Sequence, residues 1–445
     1  MLPSSSTAKR VARVGREVVW VGLGQGLSAL GALVGVRLLT GVLDPEQYGE
    51  LALGISVAAF VQMTFLQPLY EASLRFFSIA AETREMPAFL ASVRRVSLFV
   101  TGVLFVGFLV VFVWLAMTGR SAWFGLALLS AIFSLLSGLN VTMNGIQNAA
   151  RQRPIVAWHD SFSQWLRFLL AVLFVSWFGR RSDMAMLGYI AAVLAVVSSQ
   201  YWFFVRNPDV AAARAVRPAP LDVMRWTRQL RDYAWPVAAW GVFMGAYLIS
   251  GRWALQLLQT STSVGLYAAL YQLGFYPIVL LTGLWMVVIQ PVMFGRAGAG
   301  TDPVRSARGR RLGIVLVVVT LVATLAATGA AALFNHRIFA VLVAPEYRGV
   351  SALLPLMILG SGFFACGQVV SLVGMIDPDT SRLIAPKVGA SIIGTLANFF
   401  GAWRYGVDGV VYAGVLYGVI YFAWMTRAIA VTPAKRAALS PVSAR

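Results

Sequence analysis

Twelve apolar stretches, with arginine crowded into every other gap between them, constrain what this chain can fold into more than any other feature. The stretches run over approximately 18–43, 49–73, 92–117, 122–149, 155–178, 184–206, 234–258, 264–294, 312–334, 350–374, 385–403 and 408–430. A helix of about 20 residues crosses the ~30 Å hydrocarbon core of a bilayer, and each stretch reaches or approaches that length. With the N-terminus placed in the cytoplasm, 27 of the 36 Lys and Arg fall in or at the edges of the tails and even-numbered gaps. Another 6 fall in odd-numbered gaps, and 3 (Arg37, Arg167, Arg252) lie inside stretches. Positive charge in short loops marks the cytoplasmic face, so both termini are expected inside.

A hydrophobic share of 59%, a charged share of 12% and a mean hydropathy of +0.76 exclude an ordinary soluble domain. The net charge of +19 would suggest nucleic acid in a soluble chain. Here cytoplasmic loops and anionic headgroups account for it, and no nucleic-acid partner is expected. The single cysteine, Cys366, excludes an intrachain disulfide and a cysteine-based metal site. At the N-terminus, Lys9, Arg10, Arg13 and Arg16 precede an apolar run longer than the core of a cleaved signal peptide. The segment 18–43 therefore reads as a retained first helix.

The longest gap, 207–233, carries Arg214, Arg217, Arg225, Arg228 and Arg231 with Pro208, Pro218 and Pro220. It divides the stretches six and six. The expected organisation is an N-terminal six-helix bundle over 1–206, a basic cytoplasmic linker over 207–233 and a C-terminal six-helix bundle over 234–445. Inside the linker, 221–232 reads either as a basic amphipathic helix on the inner membrane surface or as a tether. Tyr48-Gly49-Glu50-Leu51-Ala52 and Val264-Gly265-Leu266-Tyr267-Ala268 open the second and eighth stretches and hint at a parallel repeat, a plan that transporters use with the substrate between the repeats. Gly22, Gly26, Gly31 and Gly35 have the small-xxx-small spacing of close helix packing. Pro68, Pro236, Pro277 and Pro291 are expected to kink helices two, seven and eight.

A more specific pattern is Arg37-Leu38-Leu39-Thr40-Gly41-Val42-Leu43-Asp44-Pro45-Glu46-Gln47-Tyr48-Gly49. It resembles the first hairpin of the polysaccharide-flippase family, which includes O-antigen and exopolysaccharide flippases. That family shares a superfamily with lipid II flippases and multidrug and toxin extruders. Gly265-Leu266-Tyr267-Ala268-Ala269 resembles the family's opening of helix eight. Val343-Ala344-Pro345-Glu346-Tyr347, followed by Ala352-Leu353-Leu354-Pro355-Leu356, is similar to its opening of helix ten. Asn398 with Gly406-Val407-Asp408-Gly409-Val410 resembles its corner between helices eleven and twelve. Two departures stand out. Ile249-Ser250-Gly251-Arg252 lacks the acidic residue the family often carries late in helix seven, and the twelve expected spans fall short of the fourteen typical of lipid II flippases. The resemblance therefore points to the oligosaccharide branch, with a polyprenyl-diphosphate-linked oligosaccharide as substrate.

Polar residues inside the stretches are the candidates for function, because a charge at the bilayer centre costs about 2.5–3.5 kcal/mol on insertion scales. Arg167 lies midway along the fifth stretch, on one helix face with Asp160 and Gln164. Asn140, Asn144, Gln147 and Arg151 form a second stripe, and Gln67, Glu71 and Arg75 a third. Such stripes suit a water-filled cavity, although amides in a membrane bundle also serve simply to join helices. Arg37 and Arg252, each near an outer helix end, either bind substrate or snorkel to headgroups. Guanidinium groups grip a diphosphate by charge-assisted hydrogen bonds, and amides suit sugar hydroxyls. The substrate-binding candidates are thus Arg37, Arg167, Arg252, Gln67, Asn140, Asn144, Gln147 and Gln164. Glu71 and Asp160 are ion-coupling candidates, and one of them is the alternative, ion-paired partner for Arg167. His159 reads as a loop histidine rather than a proton relay.

Together these features predict an all-α integral membrane protein of about twelve spans, in two six-helix bundles around a central cavity. The expected function is flipping a lipid-linked oligosaccharide across a bacterial inner membrane by alternating access, with membrane lipids, polysaccharide polymerase and assembly proteins as further partners. No catalytic residues, cofactor or metal are expected. A multidrug or organic-cation antiporter is the first rival, weakened by the shortage of buried carboxylates. A membrane-embedded polymerase or glycosyltransferase is the second, weakened by short outer gaps without paired acids.

Overall fold

The computed structural model describes residues 5–297, 303–376 and 381–439. The side chains of Lys9, Arg10, Arg13, Arg16 and Pro291 lie outside the described residues. The chain forms α1 (Ser5–Val42), α2 (Pro45–Val61), α3 (Gln67–Glu82), α4 (Met86–Met117), α5 (Phe124–Ala149), α6 (Arg153–Phe178) and α7 (Ser182–Val205). These are followed by α8 (Pro208–Arg214), α9 (Pro220–Leu258), α10 (Ser261–Gly274), α11 (Tyr276–Ala297), α12 (Pro303–Leu342), α13 (Leu354–Gly374) and α14 (Ile384–Leu439). No strand occurs among the described residues. The chain sorts into two compact units, Met1–Ile249 and Ser250–Arg445, and α9 runs from one into the other.

Among the described residues, eleven helical segments are long and apolar enough to cross a membrane. Ten of them correspond to the first ten predicted spans. The last, Ser381–Ala430, has 50 residues, about 75 Å at 1.5 Å per residue and more than twice what a single crossing needs. At Gly406 its backbone leaves the helix (φ 58, ψ −130), so the segment holds both the eleventh and the twelfth predicted span.

In the first unit, α6 packs against α1 and α7, while α5 packs against α7, α3 and α2. The turn before α2 is built by its own sequence. Asp44 caps the helix by accepting a 2.8 Å bond from the Gln47 amide, Pro45 occupies the first turn and Glu46 meets the positive end of the dipole. Gln47 and Glu50 then reach across to Ser182 at the start of α7, at 2.8 and 2.7 Å. Between α2 and α3 the helix widens into a π-bulge over Gln62–Leu66, just ahead of Pro68. Proline removes a backbone donor and a π-bulge absorbs an extra residue, so both disturb the helix at one place.

The glycines of α1 pack differently from the expected spacing. A Cβ on Gly35 would fall 2.2 Å from the Phe168 ring, one on Gly31 3.0 Å from Trp165, and one on Gly24 3.1 Å from Ala157. Gly22 and Gly26 face open space. The contact face is therefore Gly24, Gly31 and Gly35, which lets α6 approach closely in parallel. A Cβ on Gly188 of α7 would likewise fall 2.5 Å from the Ala171 backbone, so α7 also approaches α6 closely.

In the second unit, α13 packs against α12, α14 and α10. Thr260 caps α10 through the Ser263 amide at 3.2 Å. The chain breaks between α10 and α11 at Phe275, ahead of Pro277, as expected for that proline. Pro236, in contrast, sits inside an uninterrupted α9, and residue 291 lies within the backbone of α11. A nine-residue 3-10 helix, Pro345–Leu353, leads into α13.

The segment 221–232 is the beginning of α9. Part of its apolar side is covered by protein, while Leu221 and Met224 stay exposed. Trp226 and Leu230 are buried among Phe77, Phe89 and Leu69, and the Trp226 ring stands edge-on to Phe89 with centroids 5.6 Å apart. Glu85, in the turn between α3 and α4, accepts a 2.6 Å bond from Arg225 and a 2.9 Å bond from the Trp226 indole N–H. Ser92 adds a 2.8 Å bond to the Val223 carbonyl. The Arg225 bond to Glu85 holds its carboxyl below the usual carboxylate range. A depressed pKa stabilises the fold above the unfolded value of 4.5 and loses that contribution as pH falls through the folded value. Glu85→Gln is therefore expected to melt below wild type at neutral pH, the gap closing as the medium is acidified below that value. Thermal melts across pH check this; a gap independent of pH would sink the linkage.

Candidate functional site

The polar residues of the first unit converge on a side chain that the stripe reading did not single out, Gln200 of α7, which is 0% exposed. Its carbonyl accepts from Asn140 at 2.6 Å, and its amide nitrogen donates to Asn144 at 2.5 Å and to Gln147 at 2.8 Å. Asn144 also donates to Asn140 at 3.4 Å and to Asp160 of α6 at 3.1 Å. Three helices are thus tied by one amide–carboxyl network. The spacing of Asn140, Asn144 and Gln147 at i, i+4 and i+7 puts them on the face of α5 that meets α7. Gln200 sits in an apolar helix between Ser199 and Tyr201, so no periodic pattern of amides announces it.

Asp160 is exposed, unlike its partners in the network, and makes no ion pair among the described residues. Arg167 lies seven residues further along α6, about 10 Å away at 1.5 Å per residue. The alternative reading, a salt bridge from Arg167 to Asp160 or Glu71, is accordingly not formed. The guanidinium of Arg167 bonds only within its own helix, to the Ser163 carbonyl at 3.3 Å and to Gln164. Among the described residues no carboxylate lies within salt-bridge distance of it, and Asp160 acts on it only through space. Arg37 projects from α1 as an exposed side chain. Because Gly35 abuts Phe168 and the two helices run in parallel, Arg37 stands only about 4–5 Å further along the axis than Arg167. The two arginines thus occupy adjacent levels beyond the amide network.

The third stripe stays apart. Gln67 donates to Glu71 at 2.9 Å within α3, and the Arg75 guanidinium lies over the Tyr233 ring at 5.3 Å. No hydrogen bond among the described residues joins these three side chains to the Gln200 network. His159 is a core residue of α6 rather than a loop residue: it is 4% exposed and bonds the Ile155 carbonyl at 2.8 Å and Ser199 of α7 at 3.1 Å. Among the described residues, no group of three or more His, Cys, Asp or Glu could hold a metal ion.

The second unit has its own polar positions. The guanidinium of Arg252 lies 4.6 Å from the Tyr271 ring centroid, and its Nε is buried without a hydrogen-bond partner. Tyr271 stacks on Phe275 at 4.4 Å, and the ring contacts continue through Phe364 to Tyr417 and Tyr421. Asn398 donates to Ser250 at 2.7 Å in the interior. The aromatic series is spread over α10, the break that follows it, α13 and α14, which is why no local sequence pattern displays it.

Removing Gln200 tests whether the network holds helices together. Gln200→Leu is expected to lower stability by about 2 kcal/mol, from three bonds at roughly 0.6 kcal/mol each. Denaturant unfolding in detergent micelles measures it. An unchanged midpoint would mean that the amides re-pair among themselves.

The comparisons with known proteins fit this architecture. An inward-facing multidrug resistance MATE transporter of the MOP superfamily superposes with a TM-score of 0.72, at 13% identity, over 94% of this chain and 96% of that one. The lipid II flippase MurJ in an inward closed conformation gives 0.69 at 12% identity, over 93% and 87%. The Vibrio cholerae MATE transporter VcmN, in a mutant form, gives 0.62 at 12% identity, over 95% and 98%. No curated protein sequence matches the chain. The fold is that of the MOP-superfamily transporters, a two-lobed all-helical membrane fold. A profile of the polysaccharide biosynthesis protein family matches residues 14–295, and the chain belongs to that family.

Proposed function

We propose that the protein flips a polyprenyl-diphosphate-linked oligosaccharide across a bacterial inner membrane by alternating access, in surface polysaccharide biosynthesis. Membership of the polysaccharide biosynthesis family supports the glycan class, and the lipid II flippase among its structural neighbours supports a lipid-linked cargo. The observation that carries the reading is Arg167, a cation midway along a membrane helix whose hydrogen bonds stay within its own helix and which makes no salt bridge among the described residues. A half-buried guanidinium that no carboxylate holds in a salt bridge suits a diphosphate. Arg37, one level further out, and Arg252 of the second unit are proposed as additional phosphate contacts. The amides Asn140, Asn144, Gln147, Gln164 and Gln67 are proposed to meet sugar hydroxyls. Asp160 is the better placed ion-coupling group, being exposed and tied to the network by one bond, whereas Glu71 pairs with Gln67.

In this reading the termini are cytoplasmic, membrane lipids surround both units, and polymerase and assembly proteins receive the product. Fluorescent polyprenyl-diphosphate oligosaccharide in proteoliposomes tests it: wild type is expected to move the lipid to the far leaflet. Proteoliposomes that leave this lipid in place but extrude cationic dyes would overturn the reading in favour of an organic-cation antiporter, for which exposed Asp160 would be the binding acid.

A further inference from the structure

A groove of about 420 Å³ lies wholly within the first unit, between α4, the start of α9 and the bulge before α3. Its walls are single faces of two helices. Arg95, Phe99 and Val103 line it from α4; Arg231, Trp235 and Ala238 line it from α9. Phe65 and Pro68 form the floor at the bulge. The volume is in the range of small-molecule and lipid sites.

Charge and depth give the groove a polarity. Arg95 is the last charged residue before 24 uncharged ones, 96–119, and Asp232, next to Arg231, is the last before 19 uncharged ones, 233–251. Both arginines therefore stand where the hydrocarbon begins, and everything beyond them in the groove is apolar apart from hydroxyls. Phe99 and Trp235 are each 71% exposed, so the groove opens sideways, where a membrane protein meets lipid. Trp235 is the residue type found at the headgroup boundary. Arg231 shares its charge with Asp232 at 2.8 Å. Arg95 has no carboxylate partner among the described residues, and Arg94 and Arg228 stand exposed beside the same end. The occupant that matches an apolar channel capped by excess positive charge at headgroup level is an anionic phospholipid of the bilayer.

We infer that this groove binds one anionic phospholipid, its phosphate at Arg95 and Arg231 and one acyl chain lying against the helix-two bulge. The site is separate from the polar network and does not rest on the identity of the transported glycan. Bound lipid would brace the bulge, since Phe65 and Pro68 are the surface it lies on.

The test is native mass spectrometry of the full chain released from nanodiscs that contain equal palmitoyl-oleoyl phosphatidylglycerol and phosphatidylcholine. Wild type is expected to retain one phosphatidylglycerol in preference to phosphatidylcholine. Arg95→Gln is expected to weaken that preference about fivefold, in keeping with ~1 kcal/mol per basic side chain at an anionic surface. Ala238→Phe, which fills the channel, is expected to lose both lipids; Val103→Trp does the same from the exposed wall should the first variant not fold. Equal retention of the two lipids, or a preference that survives Arg95→Gln with Arg231→Gln, would overturn the inference. So would displacement of phosphatidylglycerol by a polyprenyl diphosphate, which would hand the groove to the substrate.

Discussion

Arg167→Ala is expected to cut flipping of a polyprenyl-diphosphate oligosaccharide by about 100-fold, through the loss of two charge-assisted hydrogen bonds of roughly 1.5 kcal/mol each. Its bonds run only to Ser163 and Gln164 on its own helix. The alanine variant should therefore keep its packing, and its elution and melting should match wild type. Arg167→Lys retains the charge but not the planar fork, so an intermediate rate is expected. Initial flipping rates at matched protein density in proteoliposomes measure the effect. A folded alanine variant that flips at the wild-type rate would remove Arg167 from the binding site and leave the amide network without a neighbouring anion partner.

The second large effect is structural. Where the chain turns back at Gly406, the two arms of α14 touch through Gly401 and Gly409. A Cβ on Gly409 would stand 2.0 Å from the Gly401 carbonyl oxygen, and one on Gly401 2.3 Å from the Gly409 oxygen. Backbone cannot rotate aside as a side chain can, so Gly409→Ala is expected to cost about 3 kcal/mol, the upper part of the overpacking range. Gly414, one turn further on, has no heavy atom within 4 Å of such a Cβ. Gly414→Ala should be neutral or slightly stabilising, because glycine inside a helix is itself costly. Equal unfolding midpoints for the two alanine variants in detergent would refute the close contact.

Much of the fold was legible because hydrocarbon selects apolar runs of a fixed length. Predicted spans two to six fall on observed helices, and the eleventh and twelfth meet at Gly406, inside a stretch the sequence separates by polar residues. Helix ends were not legible. The ninth span, expected over 312–334, belongs to the helix Pro303–Leu342, because arginines such as Arg305, Arg308 and Arg311 continue a helix into water while ending its apolar run. The same confusion hid the start of α9: proline and arginine in 207–233 read as a linker, yet Trp226 and Leu230 are two of its buried anchors.

The candidate site was legible only where polar residues repeat along one helix. Asn140, Asn144 and Gln147 declare a face by their spacing. Gln200, which joins them, is a lone amide whose role exists only across helices. Arg252 was visible as a charge in an apolar run, but its partner Tyr271 looked like one more aromatic residue. His159 was misplaced because Arg151, Arg153 and Pro154 just before it made that stretch resemble a loop, whereas Pro154 occupies the first turn of α6.

The widened turn at Gln62–Leu66 holds one residue more than a regular helix would. In an α-helix each residue advances the azimuth by roughly 100°. Deleting a single residue there would restore a regular helix and swing everything downstream around by about that angle. Gln67 and Glu71 would then face where their neighbours on α3 now face. The extra residue thus acts as a phase shifter: upstream, Tyr48 and Leu51 keep the contacts that start the helix, and downstream the polar side chains acquire an independent heading. A bulge of this kind can also migrate along a helix by exchanging hydrogen bonds one at a time, so the heading of Glu71 is adjustable without unwinding the segment that carries it.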